Sequence, residues 1–343
     1  MSIGEKNFFS SIENVLNGLM QQKYLIKRQT ATTVFLSGRL GKPLLVEGPA
    51  GVGKTALAGA IAAALGTEII RLQCYPGLDE SKTLYEWNYQ KQLLQTQRPG
   101  GEVDLFGPEF MLERPLLKAF RSREPVVLLV DEIDKSEEEL ESFLLEALAD
   151  FQVTIPEFGT VTANHRPYVV ITSNRMRELS DALKRRCLYL YLDYPDEELE
   201  RAIINLRLPG VTQRLTADIV HFVQQLRRLK LKKAPSIAES LDWARTLLLL
   251  ERDSIDPELV RETLNVLLKY EDDIQAAAKE IPSLAVGAGV AAGPAGGVRD
   301  QWAGGRPASA WSADPTGSPA SAEPADSSAF PASSGPDLSR FDF

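Results

Sequence analysis

Short apolar runs alternate with helical patterns between about residues 40 and 192. Five runs rich in branched and large apolar side chains predict strands: PLLVE, EIIRLQ, VVLLVDE, YVVITSN and LYLYLDY. The segments between them are mostly helical in pattern. Short runs that are apolar throughout are typical of strands buried on both faces. The pattern therefore predicts the α/β class, with a parallel sheet covered by helices on both sides.

A different pattern begins at about residue 195. ELERAIINL, ADIVHFVQQLRRL, SLDWARTLLLL and PELVRETLNVLL repeat apolar positions at helical spacing only. One further helix is predicted before the sheet, over 6–29. Over residues 283–343, about two thirds of the positions are Gly, Ala, Ser or Pro. A segment of this composition cannot bury enough apolar surface to become ordered. We predict three parts: a core domain with its N-terminal helix over 1–194, a helical lid over 195–282, and a disordered tail over 283–343.

The strongest local motif is GPAGVGKT, which follows PLLVE and precedes the helical pattern ALAGAIAAAL. Strand, glycine-rich loop and helix form the context that a phosphate-binding loop requires. In such a loop the backbone N–H groups surround the β-phosphate, Lys54 contacts the β- and γ-phosphates, and Thr55 binds Mg²⁺. We predict that ATP is bound by Gly48, Pro49, Ala50, Gly51, Val52, Gly53, Lys54, Thr55 and Ala56.

Two other predicted strands end in polar residues. VVLLVDEID places Asp131 and Glu132 after a buried run, and YVVITSN places Asn174 after another. The carboxyl ends of parallel strands share one edge of a sheet, where α/β proteins bind ligands. We predict that Asp131 binds Mg²⁺ together with Thr55. Glu132 is predicted to activate water as general base, and Asn174 to position that water. The alternative is that these strands merely end in polar residues.

LSDALKRRC places Arg185 and Arg186 at the end of a short helix. An arginine at this point usually cannot reach the phosphates of its own loop, but it can reach those of a neighbouring subunit. Such a contact speeds hydrolysis by several powers of ten in related NTPases. We predict that Arg186, with Arg185 second, is an arginine finger in a ring oligomer. The alternative is a solvated helix end that the helix dipole favours.

Composition and charge argue against several classes of protein. The net charge of −9 argues against a general nucleic-acid binder. The two cysteines, Cys74 and Cys187, are too few for a disulfide framework and favour a reducing cytosol. The N-terminal stretch has no signal-peptide pattern, and no run of about 18 apolar residues predicts a membrane span. We therefore expect a cytoplasmic protein without a membrane partner.

Strand–P-loop–helix, VDEID, ITSN and ALKRRC, in that order and spacing, resemble an AAA+ ATPase module. Within AAA+, the chain resembles the MoxR group through KPLLVEGPAGVGKTALA, RLQCYPGLDESKTLYEWNY, LLEALADFQVTIP and LSDALKRRC. The second and fourth of these stretches are most similar to the CoxD-like branch, which is associated with carbon monoxide dehydrogenase maturation. The resemblance covers about residues 8–275.

This resemblance implies a P-loop AAA+ αβα core with a helical lid, assembled as a hexameric ring. It implies hairpin inserts that face a substrate, for which the candidates here are YEWNYQKQLLQTQRPGGEVDLF and FQVTIPEFGTVTANHRPYV. It also implies a partner protein with a von Willebrand factor A domain. The client would be a metalloenzyme, of the molybdenum hydroxylase type in the closest branch.

The lid departs from the AAA+ pattern. Many AAA+ lids carry a sensor arginine at the start of a helix after Pro-Ser-like residues, but in APSIAESLDWARTL that place is taken by Ala238 or Glu239. Arg245, two turns later, would substitute for it or would be an exposed helix arginine.

The residues therefore predict a Mg²⁺-dependent ATPase that forms rings and remodels a protein partner. Two other functions stay open. One is an AAA+ protein of DNA transactions, against which the acidic balance argues. The other is a nucleotide-gated binding scaffold with little hydrolysis, against which Glu132 and the two arginines argue.

Overall fold

A computed structural model describes residues 7–96, 105–156 and 158–285. The α-helices are α1 (Ile12–Gln21), α2 (Arg28–Leu40), α3 (Lys54–Leu65), α4 (Glu80–Leu84), α5 (Tyr89–Thr96), α6 (Pro115–Arg121), α7 (Glu138–Asp150), α8 (Asp181–Arg186), α9 (Glu197–Arg207), α10 (Gln213–Arg228), α11 (Ile237–Leu249), α12 (Pro257–Leu267) and α13 (Glu271–Ala285). The strands are β1 (Leu44–Glu47), β2 (Ile69–Gln73), β3 (Tyr85–Trp87), β4 (Met111–Glu113), β5 (Val127–Asp131), β6 (Gln152–Ile155), β7 (Gly159–Thr162), β8 (Tyr168–Ser173) and β9 (Leu188–Tyr191).

The central sheet has five parallel strands in the order β2-β5-β8-β1-β9. All five strands predicted from the apolar runs are present, and the predicted fold class, a parallel sheet in a P-loop AAA+ fold followed by helices, is confirmed. Along β5, Leu128 and Val130 pack in one apolar cluster, while Val127 and Leu129 pack in the cluster on the other face. Burial of both faces explains why the inner strands β1, β5 and β8 are mainly apolar, while the edge strands β2 and β9 have exposed positions.

The prediction of one helix over 6–29 was wrong. The structure has α1 and α2 instead, and between them Lys23 takes a left-handed conformation with φ 57°. This turn brings the Tyr24 hydroxyl to the carbonyl oxygen of Gly53, to which it donates a hydrogen bond at 3.0 Å. The break between the two helices therefore allows a contact with the glycine-rich loop. Helical periodicity in the sequence does not indicate such a contact.

An antiparallel strand pair is associated with each predicted insert. The first insert contains β3 and α5, and β3 pairs with β4, which follows the predicted insert in sequence. In the second, β6 pairs with β7 as a hairpin. Residues 97–104 of the first insert and residue 157 of the second lie outside the described residues.

Helices α9 to α13 share their own apolar cluster, which includes Phe222, Trp243 and Leu264. Within it, the Trp243 Nε1 donates a hydrogen bond to the Thr263 hydroxyl at 2.9 Å. Helix α13 is described as far as Ala285, so residues 283–285, which were predicted to belong to the disordered tail, are helical, and the rest of the predicted tail lies outside the described residues. The domain limits remain predictions. Within the described ranges, none of the helices is both long and apolar enough to cross a membrane.

A buried ion pair joins three of these helices. Arg227 of α10 donates to both carboxylate oxygens of Glu200 of α9, at 2.6 and 2.7 Å. The Ser240 hydroxyl of α11 donates to the same carboxylate at 2.7 Å. Arg227 Nε also donates to the Pro235 carbonyl at 2.8 Å. The pair thus fixes the start of α11 relative to α9 and α10.

Candidate active site

The glycine-rich loop connects β1 to α3 along a path that excludes side chains. Gly48 and Gly51 have φ values of 156° and 79°. A Cβ on Gly48 would lie 2.0 Å from the Leu192 carbonyl oxygen, and a Cβ on Gly51 would lie 2.1 Å from the Ser236 Oγ. Only glycine fits at these two points, because the neighbouring backbone and the lid approach too closely.

Lys54 is the buried cation of this loop. Its ammonium group donates to the Gly48 and Pro49 carbonyls at 2.8 and 2.7 Å. Burial lowers the pKa of Lys54, and the carboxylates of Asp134, Asp131 and Glu132 oppose that shift. The site therefore concentrates negative charge around one lysine at the N-terminal end of α3.

Asp131 is buried at the end of β5 and accepts hydrogen bonds from three sides. Thr55 Oγ1 donates to it at 3.0 Å, and the Thr172 hydroxyl donates to it at 2.5 Å. The Arg71 guanidinium lies 2.5 Å from its other oxygen. A threonine hydroxyl beside a carboxylate is a donor set that fits Mg²⁺, which binds through one or two protein oxygens together with substrate phosphates. Thr55 and Asp131 are thus brought together as predicted.

Glu132 follows directly and has a left-handed backbone, with φ 59°. Asn174 Nδ2 donates to one of its carboxylate oxygens at 3.1 Å, and Gln73 Nε2 donates to the other at 2.8 Å. The Lys135 ammonium group lies 2.7 Å from that second oxygen. The hydrogen bond from Lys135 and its charge, with the two amide hydrogen bonds, lower the pKa of Glu132. The carboxylate is therefore ionised at neutral pH and able to accept a proton.

Sequence reasoning missed three polar residues at this edge: Arg71, Gln73 and Thr172. Arg71 donates to the Gln73 Oε1, which orients the Gln73 amide so that its nitrogen faces Glu132. Thr172 accepts a hydrogen bond from the Glu132 N–H at 2.9 Å while it donates to Asp131. The register of β2 against β5, in which Gln73 pairs with Asp131, would have revealed Gln73 as a site residue. That register can be used only once the strand order is known.

The structure does not bring Arg185 and Arg186 to the loop of their own chain. They precede β9, whose first residue, Leu188, pairs with Leu44 at the start of β1. The loop follows the far end of β1, so about 10 Å of strand separates the two places. Arg186 Nη1 donates to the Leu145 carbonyl of α7 at 2.6 Å. Within the described part of the chain, Arg185 is exposed and makes no hydrogen bond or ion pair.

The lid contacts the loop through the start of α11. Ser236 and Glu239 form a capping box there, and the Ser236 hydroxyl faces Gly51. Arg245 lies farther along α11 and pairs with Asp242 at 3.3 Å. Of the positions considered for a sensor, Glu239 therefore lies beside the loop.

We expect Gly51→Ala to lower the free energy of unfolding by about 1–3 kcal/mol, because a left-handed alanine is strained and its methyl group displaces Ser236. Thermal unfolding and ATP titration would measure the change, and ATP affinity should fall as well. Gly59→Ala is the matched control, since no atom lies within 4 Å of a Cβ there. In the interior of α3 that change should stabilise by about 0.5–1 kcal/mol. Equal unfolding temperatures for Gly51→Ala and the wild type would contradict the contact.

The chain is similar to several known proteins. Residues 44–192 match the family model described as ATPase family associated with various cellular activities (AAA). An uncharacterized protein of Staphylococcus haemolyticus (strain JCSC1435) is 26% identical over 216 residues, which cover 61% of this chain and 76% of that protein. One of Staphylococcus aureus (strain bovine RF122 / ET3-1) is 25% identical over 237 residues, covering 64% and 82%. Among solved structures, the Thermotoga maritima RuvB Holliday junction branch migration motor has a TM-score of 0.41 at 19% identity, covering 75% of this chain and 72% of that one. The matched family range begins with β1 and ends just after β9.

Proposed function

We propose that this chain, whose residues 44–192 match the AAA family model, hydrolyses ATP to ADP and phosphate with Mg²⁺. One observation carries the proposal. Gln73 at the end of β2 and Asn174 directly after β8 both donate to the Glu132 carboxylate, beside the contact between Thr55 and Asp131. This is the arrangement that a phosphoryl transfer to water requires: a phosphate-binding loop, metal-binding oxygens and an oriented base.

Each residue has a defined task. The N–H groups of the loop and the Lys54 ammonium group bind the phosphates, and Thr55 and Asp131 hold Mg²⁺. When bound, Mg²⁺ neutralises charge on the β- and γ-phosphate oxygens. Glu132 accepts a proton from the attacking water, and Asn174 keeps the carboxylate and the water in position. Arg71 and Gln73 fix the remaining oxygen of Glu132.

A second copy would complete the site. Arg185 and Arg186 lie at the opposite edge of the sheet from their own loop, so they serve a neighbouring loop in a ring, for which six subunits is the proposed number. The contact of Ser236 with Gly51 couples the lid to the phosphate loop. Hydrolysis would then change the position of the lid and of the neighbouring subunit.

The client is proposed from the resemblance to the MoxR group and its CoxD-like branch. We infer a cytoplasmic, chaperone-like ATPase that acts with a von Willebrand factor A-domain protein to activate a metalloenzyme, such as a molybdenum hydroxylase. Cys74 and Cys187 are free and buried, which agrees with a reducing compartment. The net charge of −9 disfavours a role on DNA.

The test compares the wild type with Lys54→Ala. Phosphate release should require Mg²⁺ and should fall at least about 100-fold in the variant, because the γ-phosphate loses its main cation. The same pair would then be co-expressed with a molybdenum hydroxylase, whose specific activity should rise with the wild type only. Equal phosphate release by the two proteins would refute the ATPase. Equal hydroxylase activity, with normal ATP hydrolysis, would refute the client alone.

A further inference from the structure

The turn after β8 has an unusual backbone, which the Asp134 side chain supports together with the Ser173 hydroxyl, the acceptor of the Arg175 N–H at 3.0 Å. Arg175 takes a left-handed conformation with φ 60°, which is unfavourable for a residue with a Cβ. Such a conformation persists only where the surroundings hold it. Here the backbone N–H groups on both sides of Arg175, those of Asn174 and Met176, donate to the same oxygen of Asp134, at 3.1 and 2.9 Å.

Asp134 is well placed for this task. It lies in the 3₁₀ turn Ile133–Lys135 that follows Glu132, and only 4% of its surface is exposed. Within the described residues its other oxygen, Oδ1, is buried and accepts no hydrogen bond. All hydrogen bonds of this carboxylate in the described chain therefore go to the turn. Two charge-assisted bonds to backbone N–H groups are strong enough to select one turn conformation.

The turn decides where the Asn174 side chain points. Asn174 is the first residue after β8, so the direction of its amide depends on the backbone between Ser173 and Met176. In the observed conformation that amide lies 3.1 Å from the Glu132 carboxylate. Release of the two N–H groups would let the turn relax to the ordinary backbone region and would move the amide away.

We propose that Asp134 is a positioning residue for hydrolysis: it holds the turn 174–176 so that Asn174 binds the catalytic Glu132. This inference rests on the proposed ATPase function. Asp134 acts through the backbone of Asn174 and makes no contact with Glu132 itself. Its effect should therefore vanish when the Asn174 side chain is absent.

A double-mutant cycle tests this dependence. The variants are Asp134→Ala, Asn174→Ala and the double variant, with kcat, KM and the dissociation constant for ATP measured for each, and thermal unfolding as the control for folding. Asp134→Ala should lower kcat about 10–100-fold, the range expected when a reacting group is misplaced by about 1 Å. KM and the ATP dissociation constant should stay within about twofold of the wild type, since the hydrogen bonds of Asp134 within the described residues go to the turn and not to the phosphate loop. In the Asn174→Ala background, removal of Asp134 should cost no more than about twofold in kcat.

Asp134→Asn provides rescue by a conservative change. Its Oδ1 can still accept both N–H groups, so it should recover most of the turnover that Asp134→Ala loses. Should the alanine variant fail to fold, Asp134→Ser is the substitute. Its side chain is still polar, but it is shorter and places no oxygen where the Asp134 carboxylate accepts the two N–H groups. A loss in kcat that is equally large with and without Asn174 would overturn the proposal, as would an asparagine variant as slow as alanine. If the wild type itself shows no Mg²⁺-dependent turnover, the proposed function fails, which is a separate result.

Discussion

We expect Glu132→Gln to reduce the rate of ATP hydrolysis about 100- to 10,000-fold, the range that a general base contributes. The glutamine has the same size, and its single carbonyl oxygen can still accept from Gln73 and Lys135, while its NH2 group requires the Asn174 amide to turn and accept. The backbone at the strand edge should therefore persist. What it loses is the ability to accept a proton from water. Binding of ATP should remain within a few-fold of the wild type, because Lys54 and the loop are unchanged. Single-turnover phosphate release and equilibrium ATP binding would measure the two effects separately.

Glu139→Gln is the matched control for this change, since Glu139 is exposed on α7, near Glu132 in sequence. It should turn over at the wild-type rate. The pKa of Glu132 is lowered, so the base stays ionised on acidification until the pH is below the ordinary range of a glutamate, about 4.3. Protonation of Glu132 should therefore not slow the reaction between pH 7 and about pH 5. If Glu132→Gln keeps the wild-type rate, Glu132 is not the general base, and if that shared rate is negligible, the chain is a nucleotide-gated scaffold.

We expect Arg186→Ala to lower turnover of the assembled protein about 1,000-fold or more, as loss of an arginine finger does in related NTPases. The Leu145 carbonyl uses one N–H group of Arg186 and leaves the remaining donors of the guanidinium available for a neighbour's γ-phosphate. Turnover per chain should rise with protein concentration in the wild type, while light scattering reports assembly. Arg186→Ala should assemble and stay slow. Arg185→Ala, with one fewer charge at the same place, should lose less.

Mixing two inactive variants makes this test sharper. Lys54→Ala keeps its arginines but loses its loop, and Arg186→Ala keeps its loop but loses the finger. In mixed assemblies some loops of the second variant face the intact arginines of the first, so activity should return on mixing. If mixing restores nothing and turnover per chain is independent of concentration, the two arginines only end a helix.

The sequence predicts the sheet and the phosphate-binding edge well, because each depends on local pattern. Apolar runs identify the strands, and a polar residue after such a run lies at the edge where ligands bind. Lys54, Asp131, Glu132 and Asn174 could be placed together by that rule alone. The position of Arg186 away from its own loop also follows from chain direction in a parallel sheet.

The remaining site residues depend on which strands are neighbours. Gln73 faces Glu132 only because β2 lies beside β5, and no pattern within EIIRLQ indicates this. Asp134 was passed over because its role is exerted on the backbone of a turn forty residues later. The contact between Gly51 and Ser236 joins the glycine-rich loop to the helical segment after residue 195, two parts of the chain whose apolar spacing differs. The break between α1 and α2 likewise follows from a tertiary contact, that of Tyr24 with Gly53.

The ion pair between Glu200 and Arg227 has a mechanical consequence. Because it ties α9, α10 and α11 together beside Pro235, directly before Ser236, the pair restricts relative movement of these helices where the lid touches the phosphate loop. The three helices would then move together as one rigid body about that point. A small shift of Gly51 when phosphate leaves would be transmitted to α13 as a larger displacement, with little of it absorbed on the way. If the proposed hydrolysis takes place, this salt bridge beside the loop would help to transmit a local change at the phosphates to the helices of the lid.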